Sequence, residues 1–193
     1  MAEPKKAHWE VAKHVLKYLH GTIDYELLYT RSRDIRLNGF TDADWASSVD
    51  RKSTSGYYFN IGSGMTSWCN RKHKSIALSS SKVEYMVAKT AFCEAIWLRR
   101  LLVNLFRRNM EATMIMCDNQ SCIKLSENPV FHDRLKHINI QCHFVRDYVQ
   151  RGAVQLSYTP TGEQVADILT KVLGRTKFDY FREKMGMVKS LFK

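Results

Sequence analysis

IRLNGFTDADWASSVDRKSTSGYYFNIGSGMTSWCNRK, residues 35–72, is the stretch that decides the fold. Its runs IRLNGFTDADWA, GYYFNIG and GMTSWCNR are rich in aromatic and branched residues and are parted by Gly, Ser and Asp turn signals. That pattern predicts three consecutive strands in an antiparallel meander. Within the first run, period-two alternation puts Phe40, Asp42 and Asp44 on one face. Two acids on one strand face call for a cation or for solvent.

Downstream of the meander the period changes from two to about 3.6. Val83, Val87, Ala91, Ala95, Leu98, Leu102 and Leu105 recur at three- and four-residue steps, so a long helix is expected over 80–108, with N-cap candidates in Ser79 to Ser81. ATMIMC (112–117) reads as a buried strand, DNQSCIKLSEN (118–128) as a short helix, and LKHINIQCHFVRDYVQRG (135–152) as a longer one closed by Gly152. AVQLSYT (153–159) is a fifth strand; EQVADILTKVL (163–173) and FDYFREKMG (178–186) are expected to be helices. The order β β β α β α α β α describes an α/β fold with a five-stranded mixed sheet, three antiparallel strands followed by two reached through helices.

Upstream, KKAHWEVAKHVLKYLH (5–20) sets Trp9, Ala12, Val15, Leu16 and Leu19 at helical spacing before Gly21. A short strand-like run, YELLYT, follows. The polar segment Arg31 to Arg36 then marks a boundary, giving an expected division into 1–33, a main domain over 34–174, and a C-terminal helix and tail over 175–193.

Composition narrows the function classes. With 30 Lys and Arg against 19 Asp and Glu, the net charge of +11 favours a polyanionic partner. No apolar run is long enough to cross a bilayer and the N-terminus is not signal-like, so an intracellular protein, cytoplasmic or nuclear and not secreted, with no membrane partner, is expected. The five cysteines, at 69, 93, 117, 122 and 142, form no CxxC pair and argue against a disulfide framework. A zinc site drawn from Cys117, Cys122, His132, His137, Cys142 and His143 fits no standard ligand spacing.

Against this basic background four acids stand out: Asp42 in GFTDADW, Glu84 in SSSKVEYM, Asp118 in MIMCDNQS and Asp167 in EQVADILTK. Carboxylates suit Mg²⁺, a hard cation that prefers oxygen ligands. Three of them also have an ordinary explanation: Asp118 as a helix N-cap, Glu84 as a first-turn residue favouring the helix dipole, Asp167 as a polar position on an amphipathic helix. Residue type alone leaves both readings open.

The contexts go further. GFTDADWASSVDRKSTSGY, SWCNRKHKSIALSSSKVEYMVAKTAFCEAIWLRRLL, CDNQSCIKLSENPVFHDRLKHINIQCHFVRD and YTPTGEQVADILTK together resemble, in collinear order, the RNase H domain of copia-type LTR retrotransposon Pol polyproteins. Residues 6–30, with HWEVAKHVLKYLHGT, resemble the end of the preceding reverse transcriptase region. The resemblance implies an RNase H-like fold and an endoribonuclease that cleaves the RNA strand of RNA–DNA hybrids. It implies two Mg²⁺ ions, for which Mn²⁺ can substitute, held by Asp42, Glu84, Asp118 and Asp167 as catalytic residues, with Asp44 beside them. Its expected partners are the hybrid and the reverse transcriptase region of a parent polyprotein. The alternative is a catalytically silent nucleic-acid-binding or assembly module derived from a retrotransposon.

Weaker candidates for substrate contact are the basic, hydroxyl-rich turn Arg51, Lys52, Ser53, Thr54 and Ser55, and the polar run Asn119, Gln120 and Ser121. Arg71, Lys72, His73 and Lys74 offer nonspecific affinity. The arginine pairs 99–100 and 107–108 read as a solvated helix face, and His137 as a structural histidine.

Overall fold

The computed structural model describes residues 3–31, 36–44, 52–73, 80–107, 109–127 and 147–190; for 80–85 and 125 it describes the backbone only. Strands β1 (Tyr25–Leu27), β2 (Leu37–Asp44), β3 (Thr54–Ile61), β4 (Gly64–Lys72), β5 (Thr113–Cys117), β6 (Val154–Tyr158) and β7 (Met187–Lys189) and five α-helices lie wholly within the described residues. These are α1 (Lys6–Gly21), α2 (Ser80–Phe106), α3 (Gln120–Glu127), α4 (Asp167–Thr170) and α5 (Arg175–Lys184). The central sheet has the order β4-β3-β2-β5-β6. Its first three members are antiparallel, while β5 runs parallel to both β2 and β6, the mixed five-stranded sheet expected from the sequence.

Two apolar layers sandwich the sheet. On one face, Ala88, Ala91, Phe92, Ala95, Leu98 and Leu102 of α2 pack on Phe59, Ile115 and Leu156. The alanines let the helix axis come close to the sheet, and each large side chain buried there stabilises the fold by roughly 1.5–3 kcal/mol. Leu105 falls outside this stripe and is exposed, and the helix stops at Phe106, before Arg107 enters the left-handed region with φ 50°. On the other face, Tyr58, Val165, Phe181 and Met185 form a second core, where Phe40 stacks on Tyr58 with ring centroids 4.9 Å apart. Pleating explains the division: Tyr58 serves one face and its neighbour Phe59 the other.

Several expectations differ from the structure. Residues 163–173 do not form one helix: a 3₁₀ turn at Thr161–Glu163 leads through Gln164, Val165 and Ala166 to the four-residue α4. Four successive residues, Gln164 to Asp167, are all buried, which a one-sided surface helix cannot accommodate. The final strand β7 was not foreseen; it pairs antiparallel with β1, setting Tyr25 opposite Lys189 and Leu27 opposite Met187. Segments expected to lie on opposite sides of the main domain thus meet. Tyr29 also donates its hydroxyl to the Met65 carbonyl, and Thr30 N donates to Ser63 Oγ at 2.8 Å. By contrast α1 carries no buried residue, and Trp9, Val15, Leu16 and Leu19 are exposed along it.

Arg99 is not a solvated face residue. Its guanidinium donates to the carbonyls of Met110, at 3.1 Å, and Glu111, and to Thr113 Oγ1 at 3.3 Å, tying the end of α2 to the start of β5. Gly152, with φ 66°, closes the helical turn over 147–150 as a C′ glycine does. The rest of that expected helix, with His137, Cys142 and His143, lies outside the described residues, as do Arg51, Lys74, Ser79 and His132.

Candidate functional site

Parallel pairing of β2 with β5 sets the site. Thr41 is opposite Cys117 in register, so Asp42 and Asp118, each one residue further on, emerge at the same carboxyl-terminal edge of the sheet. Such edges are where open α/β sheets place their ligands. Asp167, the first residue of α4, comes in from the second layer. One oxygen from each of Asp42, Asp118 and Asp167 lies within 4.8 Å of the others, and Asp42 and Asp167 are almost fully buried.

Two devices hold α4 against the strands. The first is Gln164, fully buried, whose Nε2 donates to the carbonyls of Thr41 at 3.1 Å and Met116 at 3.4 Å, while its Oε1 accepts from Ala166 N at 3.3 Å. One side chain therefore grips β2 immediately before Asp42 and makes a longer contact with β5 two residues before Asp118. The second is Gly56, paired with Asp42 across β2 and β3. A Cβ at that position would lie 2.7 Å from Thr170 Cγ2 and 2.9 Å from Leu169 Cβ, so only glycine lets α4 approach this closely. Asn70 completes the seat by donating its side-chain amide to the Leu169 carbonyl.

The carboxylates are surrounded by donors. Lys171 Nζ bridges Asp42 Oδ1 at 3.0 Å and Asp167 Oδ1 at 2.8 Å. Lys177 Nζ reaches Asp167 Oδ2 at 3.1 Å, the Thr170 hydroxyl donates to Asp42 Oδ2, and Thr161 Oγ1 donates to Asp118 Oδ2 at 3.2 Å. Burial pushes the Asp42 carboxyl above the usual aspartate value against the opposing pull of Lys171 and Thr170. Burial alone would lower the Lys171 ammonium, but its bond to Asp167 and the charge of Asp42 outweigh that and hold it well above the ordinary lysine value.

Of the four acids singled out in the sequence, three converge. Glu84 lies in the second turn of α2, and its side chain is outside the described residues. Asp118 is not the helix cap: Asn119 Oδ1 accepts from Cys122 N at 3.0 Å, which leaves Asp118 directed at the cluster. Gln120 and Ser121 are exposed at the start of α3. In the turn leading into β3, Ser53 and Ser55 are buried rather than presented to solvent. The backbone carbonyl of Ser53 accepts from His73 N at 2.8 Å, and the Ser55 hydroxyl meets His73 Nε2. Lys52 and Thr54 are half-buried. Between β3, β4 and α2, Ser55, Arg71, Lys72, His73, Met86 and Thr90 help to line a groove of about 330 Å³. Burial, with the charge of Arg71 adding, lowers the His73 imidazole below its usual value. Cys117 and Cys122 are buried in the α2-side core.

Gln164, Thr161, Thr170, Lys171, Lys177 and Gly56 do not stand out in the sequence as site residues. Lys171 carried a usable signal, since it follows Asp167 by one helical turn. Gln164 carried none, because its partners are strand carbonyls 123 and 48 positions earlier in the chain.

A mixed sheet of this order is that of the RNase H-like fold, and comparison with known proteins agrees. LC11-RNase H1, isolated from compost by a metagenomic approach, superposes with a TM-score of 0.54 over 76% of this chain and 98% of its own, at 14% identity. A second structure of that protein is of its complex with an RNA/DNA hybrid. No protein-family model matches the chain. Among curated sequences it is 40% identical over 188 residues to the retrovirus-related Pol polyprotein from transposon TNT 1-94 of Nicotiana tabacum, and 38% identical over 190 residues to that from transposon RE2 of Arabidopsis thaliana. Those alignments take in 97% and 98% of this chain but only 14% and 13% of the polyproteins. Its homologues over nearly the whole chain are thus retrovirus-related Pol polyproteins of copia-type transposons, and its fold is RNase H-like.

Proposed function

We propose that this domain is a divalent-metal-dependent ribonuclease H, cleaving the RNA strand of RNA–DNA hybrids during retrotransposon reverse transcription. The observation that carries the reading is the convergence of Asp42, Asp118 and Asp167 at one sheet edge of a chain with net charge +11. The donor set is all carboxylate oxygen, which fits Mg²⁺ or Mn²⁺ rather than zinc. Asp42, Asp118 and Asp167 would hold the metal, with Glu84 of α2 proposed as a fourth ligand. When bound, a pair of such ions supplies an activated water and neutralises charge on the leaving oxygen.

The remaining work belongs to the chain itself. Gln164 and Gly56 fix the spacing of the acids, and burial of Asp42 and Asp167 excludes bulk water from them. In this reading Arg71, Lys72 and Lys52 attract the phosphate backbone, and Gln120 and Ser121, which are exposed next to Asp118 in sequence, meet sugar hydroxyls and base edges. The reverse transcriptase region of a parent polyprotein is the natural neighbour of such a domain.

A labelled RNA–DNA hybrid incubated with Mg²⁺ tests the reading, with Asp42→Asn and Asp118→Asn run in parallel. The intact protein should cut the RNA strand, and each variant should lose at least about 10²-fold in rate, as removal of a metal ligand generally does. A second reading, a silent hybrid-binding module, draws support from Lys171 and Lys177, which already neutralise two of the three aspartates. Hybrid bound with equal strength by all three proteins and cut by none would establish that second reading.

A further inference from the structure

Lys171 stands where the carboxylates would share a cation. Its Nζ contacts Oδ1 of both Asp42 and Asp167, at 3.0 and 2.8 Å, while the Oδ2 atoms are engaged by the Thr170 hydroxyl and by Lys177 Nζ. Both oxygens of two nearly buried carboxylates are thus occupied by donors from α4, the residue after it, and α5. Among the described side chains the cluster sets three negative charges against two positive ones.

An ion ligated jointly by Asp42 and Asp167 must take oxygens that already have a donor. The Oδ1 atoms are the pair engaged by a single group, and an ammonium cannot remain between them beside a divalent cation. Lys171 has a way out. Its side chain is 31% exposed, against 1% and 2% for the carboxylates it joins, and it sits just past the end of α4 on extended backbone, where a four-carbon stem can swing to solvent.

We infer that Lys171 is a tethered resident cation: it holds Asp42 and Asp167 together in the metal-free protein, and a divalent ion displaces it on binding. This inference rests on the metal-site reading given above. It makes Lys171 a positioning residue that sets the metal concentration at which the site fills.

Two measurements on the full chain decide the matter. In the wild type, the ¹⁵Nζ resonance of Lys171, assigned by its loss in Lys171→Arg, should move to the position of a solvated lysine as Mg²⁺ is titrated. By calorimetry, Lys171→Met should bind Mg²⁺ about tenfold more tightly than the wild type, because no charge-assisted contact has to be broken. The metal-free variant should also melt lower, and regain more on adding Mg²⁺ than the wild type gains. Should Mg²⁺ bind at Asp42 while the Lys171 resonance stays fixed, or should Lys171→Met bind no more tightly, the inference is wrong and the metal site stands. If neither protein binds Mg²⁺ or Mn²⁺ in a manner abolished by Asp42→Asn, both fall. The wild-type titration is decisive even if the methionine variant does not fold.

Discussion

Replacing Gln164 by leucine should cost the domain about 2–4 kcal/mol of unfolding free energy, from two buried backbone groups that lose partners at about 1.5–2.5 kcal/mol each, less about 1 kcal/mol regained by burying a more apolar side chain. The two groups are the Thr41 carbonyl, which accepts at 3.1 Å, and Ala166 N–H, which donates at 3.3 Å; the 3.4 Å contact with Met116 is long enough to count for little. Leucine is close to glutamine in volume, so no large cavity opens. For a chain of this size such a loss lowers the melting temperature by about 5–15 °C, readable by circular dichroism on heating and by a parallel urea titration.

Gln164→Glu sharpens the test. It keeps an acceptor for Ala166 but points a carboxylate at two carbonyls, so its folded pKa must rise above the unfolded value of about 4.3. Below that pH the side chain is protonated in both states and adds no charge penalty. The penalty appears as pH rises past the unfolded value and levels off above the folded one, so the melting gap from the wild type should widen from pH 4 towards neutrality. A Gln164→Leu protein melting within about 2 °C of the wild type, together with a pH-independent gap for Gln164→Glu, would refute the idea that this residue clamps the site.

Three other perturbations probe separate parts of the structure. Gly56→Ala places a methyl against Thr170 and Leu169 and should cost about 1–3 kcal/mol as α4 is pushed off the sheet, weakening Mg²⁺ binding measured by calorimetry along with stability. Arg99→Lys can satisfy only part of the carbonyl set at Met110 and Glu111, and should lower stability by about 1–2 kcal/mol in urea titrations. The His73 imidazole titrates below its unfolded value, so the unfolded chain takes up the proton first and stability should be lost as pH falls from about 6.5 towards the folded value. His73→Gln should lack that component, seen as a difference between wild-type and variant urea midpoints that changes between pH 7 and pH 5 and not between pH 7 and pH 8.

What was legible in the sequence was what repeats. The meander showed through aromatic residues placed at period two, and α2 through apolar residues at three- and four-residue steps, because each buries one face along many residues. The acids were legible as residue types, and their edge location followed from strand order. The segment from Gln164 to Asp167 was misread because its burial runs through consecutive residues, and a hydrophobic pattern cannot announce a buried glutamine that binds main-chain carbonyls. The β1–β7 pairing was missed for a different reason: two three-residue strands hold too few positions for a period to appear. Asp118 and its neighbour Asn119 are both capable caps, and only the backbone geometry chose between them.

That small ribbon of β1 and β7 draws the two sides of the domain together. Ser190 N donates to the Asp24 carbonyl at 2.6 Å, so the points of entry and exit are side by side. A module closed in this way can be carried within a polypeptide without spreading the segments on either side of it. Pulling on those flanking segments loads the short ribbon first, so it is the ribbon, and not the sheet bearing the aspartates, that yields to strain from its neighbours.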